Sequence, residues 1–153
     1  MYNTKGIIVE KLRKMPFEDM DKKFREHRNF HKLAAKLVDY GYVVSWLPVD
    51  DKGADIVAVH TVTSDVIKIQ LKGRVTIDSE YFGKNIYMAF PKSDSEPNKN
   101  WVIVPHDELV KIYTTPENWQ KNQGKSSGSV PNKIWGLIWG LVKEMSVVEP
   151  LNF

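Results

Sequence analysis

Apolar and polar positions along the chain change period several times, and each change marks an element. From about Asp21 to Tyr40, Phe24, Phe30, Leu33, Ala34, Leu37 and Val38 recur at three-and-four spacing, which predicts a helix with one face on a core. Upstream, Pro16 followed by Glu18 and Asp19 in "KMPFEDMDKKF" suits the start of a helix. Gly41 is placed to stop the long helix. The run "YVVSWLPV" is β-branched and aromatic, hence a strand ended by Pro48, and "DDKG" reads as a turn.

Two further strands follow at about 54–60 and 65–72, then another in "KNIYMAF" (84–90). "PKSDSEPNKN" is a polar loop, "WVIVP" a short buried strand, and "HDELVKIY" a short helix capped by Asp107 or a neighbour. Gly, Ser, Asn and Lys crowd "TPENWQKNQGKSSGSVPNK", which predicts a mobile surface loop. The tail "KIWGLIWGLVKEM" reads as an apolar helix weakened by two glycines, about 1 kcal/mol each. Helix, three strands, two more strands and a helix predict an α/β or α+β fold with a mixed sheet. No Gly-rich turn follows the first strand, so a dinucleotide-binding arrangement is not indicated. One domain over 1–153 is expected, with a core at about 21–115 and a C-terminal loop and apolar helix at 116–153.

Composition narrows the class. The 42% apolar and 27% charged residues are those of an ordinary globular chain. Cysteine is absent, which excludes disulfides and thiolate metal sites and favours a cytoplasmic location. The first residues lack the apolar core of a signal peptide, and the most apolar run, 134–142, is too short to span a bilayer. A net charge of +3 is compatible with a polyanionic partner without requiring one.

Candidate chemistry lies in "GADIVAVHTVTSDVIKIQLKGR". Side chains alternate along strands, so Lys68, Gln70 and Lys72 share one face, and Asp55 shares a face with Val57 and Val59. If the turn holds an even number of residues, opposed positions sum to an odd number. Asp55 then stands across from Gln70 or Lys72, with Cβ atoms roughly 4.5–5.5 Å apart. A carboxylate and an amide oxygen are hard ligands suited to Mg²⁺, and an ammonium group can hold water or offset phosphate charge.

This stretch, with the preceding "FHKLAAKLVDYGYVVSWLP", resembles the active-site region of the PD-(D/E)xK, restriction-endonuclease-like nuclease superfamily. The likeness spans about residues 24–90. It implies an α/β core with a mixed central sheet flanked by helices, and Mg²⁺-dependent hydrolysis of DNA phosphodiester bonds, with Mn²⁺ as a substitute. It also implies Asp55 as the central metal ligand, Gln70 holding the metal or its water, the Leu71 backbone carbonyl as a further ligand, and Lys72 serving the nucleophile. Two departures stand out: Ala54 replaces the motif's proline, and Gln70 replaces its second acid, removing a negative charge. Many members add a glutamate from the first helix; that position falls near Phe30 or His31, neither an acid, and Glu26, one turn earlier on roughly the same face, is the candidate.

Lys68, Arg74 and Lys84 are candidate phosphate contacts, or plain solubility charges on an edge. His27 and His31 have i, i+4 spacing, but Arg28 stands where a zinc protease motif needs glutamate, so zinc is not favoured. The apolar tail allows a homodimer or higher homo-oligomer. The rival reading is a non-catalytic nucleic-acid-binding or interaction module that kept a nuclease fold after the acid became Gln70.

Overall fold

The computed structural model describes residues 12–51, 53–144 and 149–153, without the side chains of Asp50 and Asp51. The segment 1–11, read above as no signal peptide, lies outside them.

A 3₁₀ turn, Phe17–Asp19, follows Pro16 and leads into helix α1, Lys22–Asp39. The Asp21 carboxylate caps α1 by accepting the Phe24 N–H at 2.8 Å. Gly41 stops it at φ +84, a conformation open to glycine. The buried stripe is narrower than the periodicity suggests. Leu33 and Leu37 are buried, Phe24 and Val38 are exposed, and Asn29 joins the buried set. Burying Leu33 or Leu37 contributes about 1.5–3 kcal/mol each.

Strands β1 (Tyr42–Asp51), β2 (Ala54–His60) and β3 (Val66–Leu71) form an antiparallel meander. A crossover carries strand β4 (Val75–Asp78) and a 3₁₀ turn, Ser79–Tyr81. Strand β5 (Ile86–Pro91) then pairs parallel to β3, and β6 (Trp101–Pro105) pairs antiparallel to β5. The result is a five-stranded mixed sheet in the order β1-β2-β3-β5-β6. Helix α2 (His106–Tyr113), helix α3 (Pro116–Lys121), strand β7 (Lys125–Gly128) and helix α4 (Asn132–Glu144) complete the chain. The architecture is a mixed sheet flanked by helices.

Alternation along the strands sorts the core into two layers. Ile56, Ala58, Ile69, Leu71, Ala89 and Ile103 pack with Leu33 and Leu37 of α1. Met88, Phe90, Val102 and Val104 face the other way, against Leu109 of α2 and Ile138 and Val142 of α4. Strands β5 and β6 are therefore covered on both faces. The β1–β3 meander is covered on one, and Val43, Val59 and Val66, aligned across three strands, stay exposed.

Three sequence expectations need correction. Pro48 does not end the first strand; β1 continues to Asp51 through a bulge, which an edge strand tolerates because the missing N–H breaks no inner ladder. The segment 115–133 is not a loop: it holds α3, capped by Thr115, and β7, which pairs with β4 in a second, two-stranded sheet. Strand β4 itself had no expectation attached. Asp107 does not cap α2, whose N-cap is Pro105; its carboxylate accepts the Gly83 N–H at 3.0 Å instead. The apolar tail is helical, and the C-terminal residues close on the core, with Leu151 bridging Trp101 and Phe153 stacked on the Trp101 ring.

Candidate active site

The β2–β3 register decides what the hairpin can do. Ile56 pairs with Ile69 and Val57 with Lys68, so the ladder continued by one residue sets Asp55 opposite Gln70. The turn therefore has the even parity that the clustering requires. Gln70 Nε2 donates to Asp55 Oδ2 at 2.6 Å, and the Leu71 N–H donates to the same oxygen at 3.2 Å. Gln70 is buried at 6% exposure, so a lost partner would leave a polar group in the interior. A residue's N–H and C=O leave a strand at the same edge, so the Leu71 carbonyl also faces the Asp55 side.

Asp55 is approachable because of what its outer neighbour does. The β1–β2 pairing runs regularly to Trp46 and Ile56, then resumes only at Asp51 and Ala54. Leu47 to Asp50 thus bulge opposite Asp55 alone, and a bulge re-aims or opens a strand edge. At the preceding turn, Gly53 has φ +96, and a methyl group there would come within 2.6 Å of the Tyr81 ring. The missing side chain seats Tyr81, and the Lys72 ammonium lies 5.9 Å from that ring's centroid, in cation–π range. The Lys72 backbone N–H donates to the Ala89 carbonyl at 2.9 Å, tying the end of β3 to β5.

These groups form the floor of a cleft of about 870 Å³. Asp55, Gln70, Leu71, Lys72, Arg74 and Glu26 all line it. Glu26 comes from the first turns of α1, is 54% exposed and lies 4.0 Å from Lys22. Lys68 and Lys84 are not among the lining residues. The His27 and His31 rings meet edge to face with their Nε2 atoms 3.1 Å apart, away from the cleft. Among the described residues, no three His, Asp or Glu side chains group closely enough to hold a metal ion. The side chains of Asp50 and Asp51, alternative acids beside the hairpin, lie outside the described residues.

Sequence reasoning missed several lining residues. Lys22, Arg25 and Asn29 stand with Glu26 on one helical stripe, at i, i+3, i+4 and i+7, which continues into Leu33 and Leu37. The inward face of α1 is thus polar where it overhangs the cleft and apolar where it meets the sheet. That switch is legible once the stripe is read for polar as well as apolar positions. Arg25 is held in place: Nε and Nη2 donate to the Phe17 and Glu18 carbonyls at 3.1 and 2.9 Å, with its guanidinium over the Phe17 ring. Trp46, 41% exposed and packed edge-on against Phe30, offers an aromatic face to the same cleft.

The oxygen-bearing groups that could hold a hard cation are one carboxylate, one amide and one main-chain carbonyl, with Glu26 also lining the cleft. Gln70 now presents its NH₂ to the carboxylate, and turning the amide about its last torsion would present Oε1 instead. With one carboxylate at its centre, such a site would bind weakly. No protein-family model matches the chain, and no curated protein or solved structure matches it either.

Proposed function

We propose that the chain is a Mg²⁺-dependent endonuclease of restriction-endonuclease-like fold that hydrolyses DNA phosphodiester bonds in this cleft. The observation that carries the reading is the convergence of Asp55, Gln70 and the Leu71 main chain at adjoining strand ends, with Lys72 beside them. Asp55, the Gln70 amide oxygen, the Leu71 carbonyl and Glu26 would hold the ion. When bound, Mg²⁺ neutralises phosphate charge and makes its water a better nucleophile. Lys72 would orient the attacking water and offset the negative charge that builds on the phosphate. Lys22, Arg25 and Arg74 take flanking phosphates, which position the strand without reading its sequence.

A non-catalytic DNA-binding module is the second reading. It is favoured by the lack, among the described residues, of a group of three metal-ligating side chains, and by the amide donor on Asp55. The two readings separate on a panel of linear, supercoiled, branched and single-stranded DNA with Mg²⁺ or Mn²⁺. The enzyme reading expects cutting that falls by at least about 10²-fold in Asp55→Ala and in Lys72→Ala, with DNA binding retained. Binding without cutting on every substrate would establish the module.

A further inference from the structure

One flank of α1 gathers positive charge that the cleft does not use. Arg28, Lys32 and Lys36 follow at i, i+4 and i+8, so their side chains stand in a row about 6 Å apart along the helix. Of the residues one turn before or after each, only Asp39 is acidic. All three are half-buried. Burial holds the Lys32 ammonium below its ordinary range, and the charges of Arg28, Lys14 and Lys36 push it the same way. Nearer the start of α1 the helix spaces its charges otherwise, setting Glu26 one turn after Lys22.

The row also has a definite beginning. Arg28 is fixed at the cleft's rim: Nη1 donates to Asn29 Oδ1 at 3.1 Å, Nη2 donates to Asn98 Oδ1, and the guanidinium lies over the Phe17 ring. Phe17, Asn29 and Pro97 line the cleft itself. The cationic row is therefore an extension of the cleft, leaving its mouth along α1. An arrangement of like charges that opposes folding persists when a counter-charge is gained in use.

We infer that the ridge formed by Arg28, Lys32 and Lys36 is a second nucleic-acid contact surface, which grips the phosphate backbone of a strand leaving the cleft. The choice of DNA as the polyanion rests on the function proposed above; the charge row itself does not. Its contacts are with phosphates, so they add affinity without sequence preference.

The test measures binding of a labelled duplex and of its single strand by fluorescence anisotropy across a salt series, for the wild type and the Lys32→Gln/Lys36→Gln variant. The same proteins are tested on phosphatidylserine vesicles and for DNA cleavage with Mg²⁺. The variant is expected to melt no lower than the wild type, since repulsion is relieved. Its slope of log affinity against log salt should fall by about 0.9 for each lost duplex contact, or about 0.7 on single strand, equally for unrelated sequences. Cleavage at saturating DNA should not change. An unchanged slope and affinity would overturn the inference. So would loss of vesicle binding with DNA binding intact, which would assign the ridge to a lipid surface. Ridge-dependent binding by a wild type that never cuts would keep the ridge and remove the catalytic reading. No DNA binding by the wild type at low salt would remove both.

Discussion

Gln70 concentrates the question of activity in one side chain. It is buried, opposed to Asp55 and hydrogen-bonded to it, so as an amide it stabilises the carboxylate without a cation. Gln70→Glu would set two carboxylates directly across a strand pair, where like charges repel. Without metal, the variant is expected to lose about 1–3 kcal/mol of stability, and saturating Mg²⁺ should restore most of it. Thermal melts with Mg²⁺ and with chelator check this; an equal loss in both would mean that no cation sits between the two groups. Gly53 acts at the same scale. A methyl group there meets the Tyr81 ring, in a backbone conformation that L residues rarely adopt, so Gly53→Ala is expected to cost about 1–3 kcal/mol. It should also slow cleavage, because Tyr81 lies beneath Lys72. The Asp55–Gln70 pairing was legible from strand alternation once turn parity was assumed. The orientation of the amide was not, because it depends on a hydrogen bond rather than on spacing.

Among the elements, α1 does the most. Its inward stripe passes from Lys22, Arg25, Glu26 and Asn29 to Leu33 and Leu37, so one helix roofs the cleft and covers the sheet. The apolar half was legible from periodicity. Of the polar half, Glu26 was legible, whereas Lys22, Arg25 and Asn29 were not, because apolar periodicity does not mark polar positions as part of a face. Strand β7 was illegible for another reason, whereas β4, "VTID", carries three β-branched residues and was legible as a strand. "KSSG" has no β-branched or aromatic residue, and its strand exists because β4 offers it a ladder. Tertiary pairing outweighed local preference there. Helix α4 formed despite Gly136 and Gly140, since Ile138 and Val142 bury against the second core layer. Among the described residues, a methyl group at either glycine meets no atom outside its own helix backbone and chain neighbours within 4 Å. Gly136→Ala and Gly140→Ala are therefore expected to stabilise the protein by about 0.5–1 kcal/mol each, as read by chemical denaturation. Destabilisation would mean that another surface lies against those positions.

In the whole molecule, the mixed sheet is covered unevenly, and the cleft follows from that. Strands β5 and β6 are sealed on both faces and anchor β3, while β1 bulges at the open edge and uncovers Asp55. Rigid support on one side and an opened edge on the other place a carboxylate where a phosphate can approach. Among the described residues, no helix is long and apolar enough to cross a membrane. The alternation of helix and strands was enough to read the mixed sheet. Its edge order and the second sheet depended on pairings between distant segments. In the proposed function the Asp55–Gln70 pair is a catalytic cation site. The most direct measurement is the rate of plasmid nicking across a Mg²⁺ titration for the wild type, Asp55→Asn and Gln70→Glu, each checked for folding. The expected result is no cutting by Asp55→Asn, and half-maximal cutting by Gln70→Glu at a lower Mg²⁺ concentration than the wild type needs. Equal rates for Asp55→Asn and the wild type, or no dependence on Mg²⁺, would contradict it.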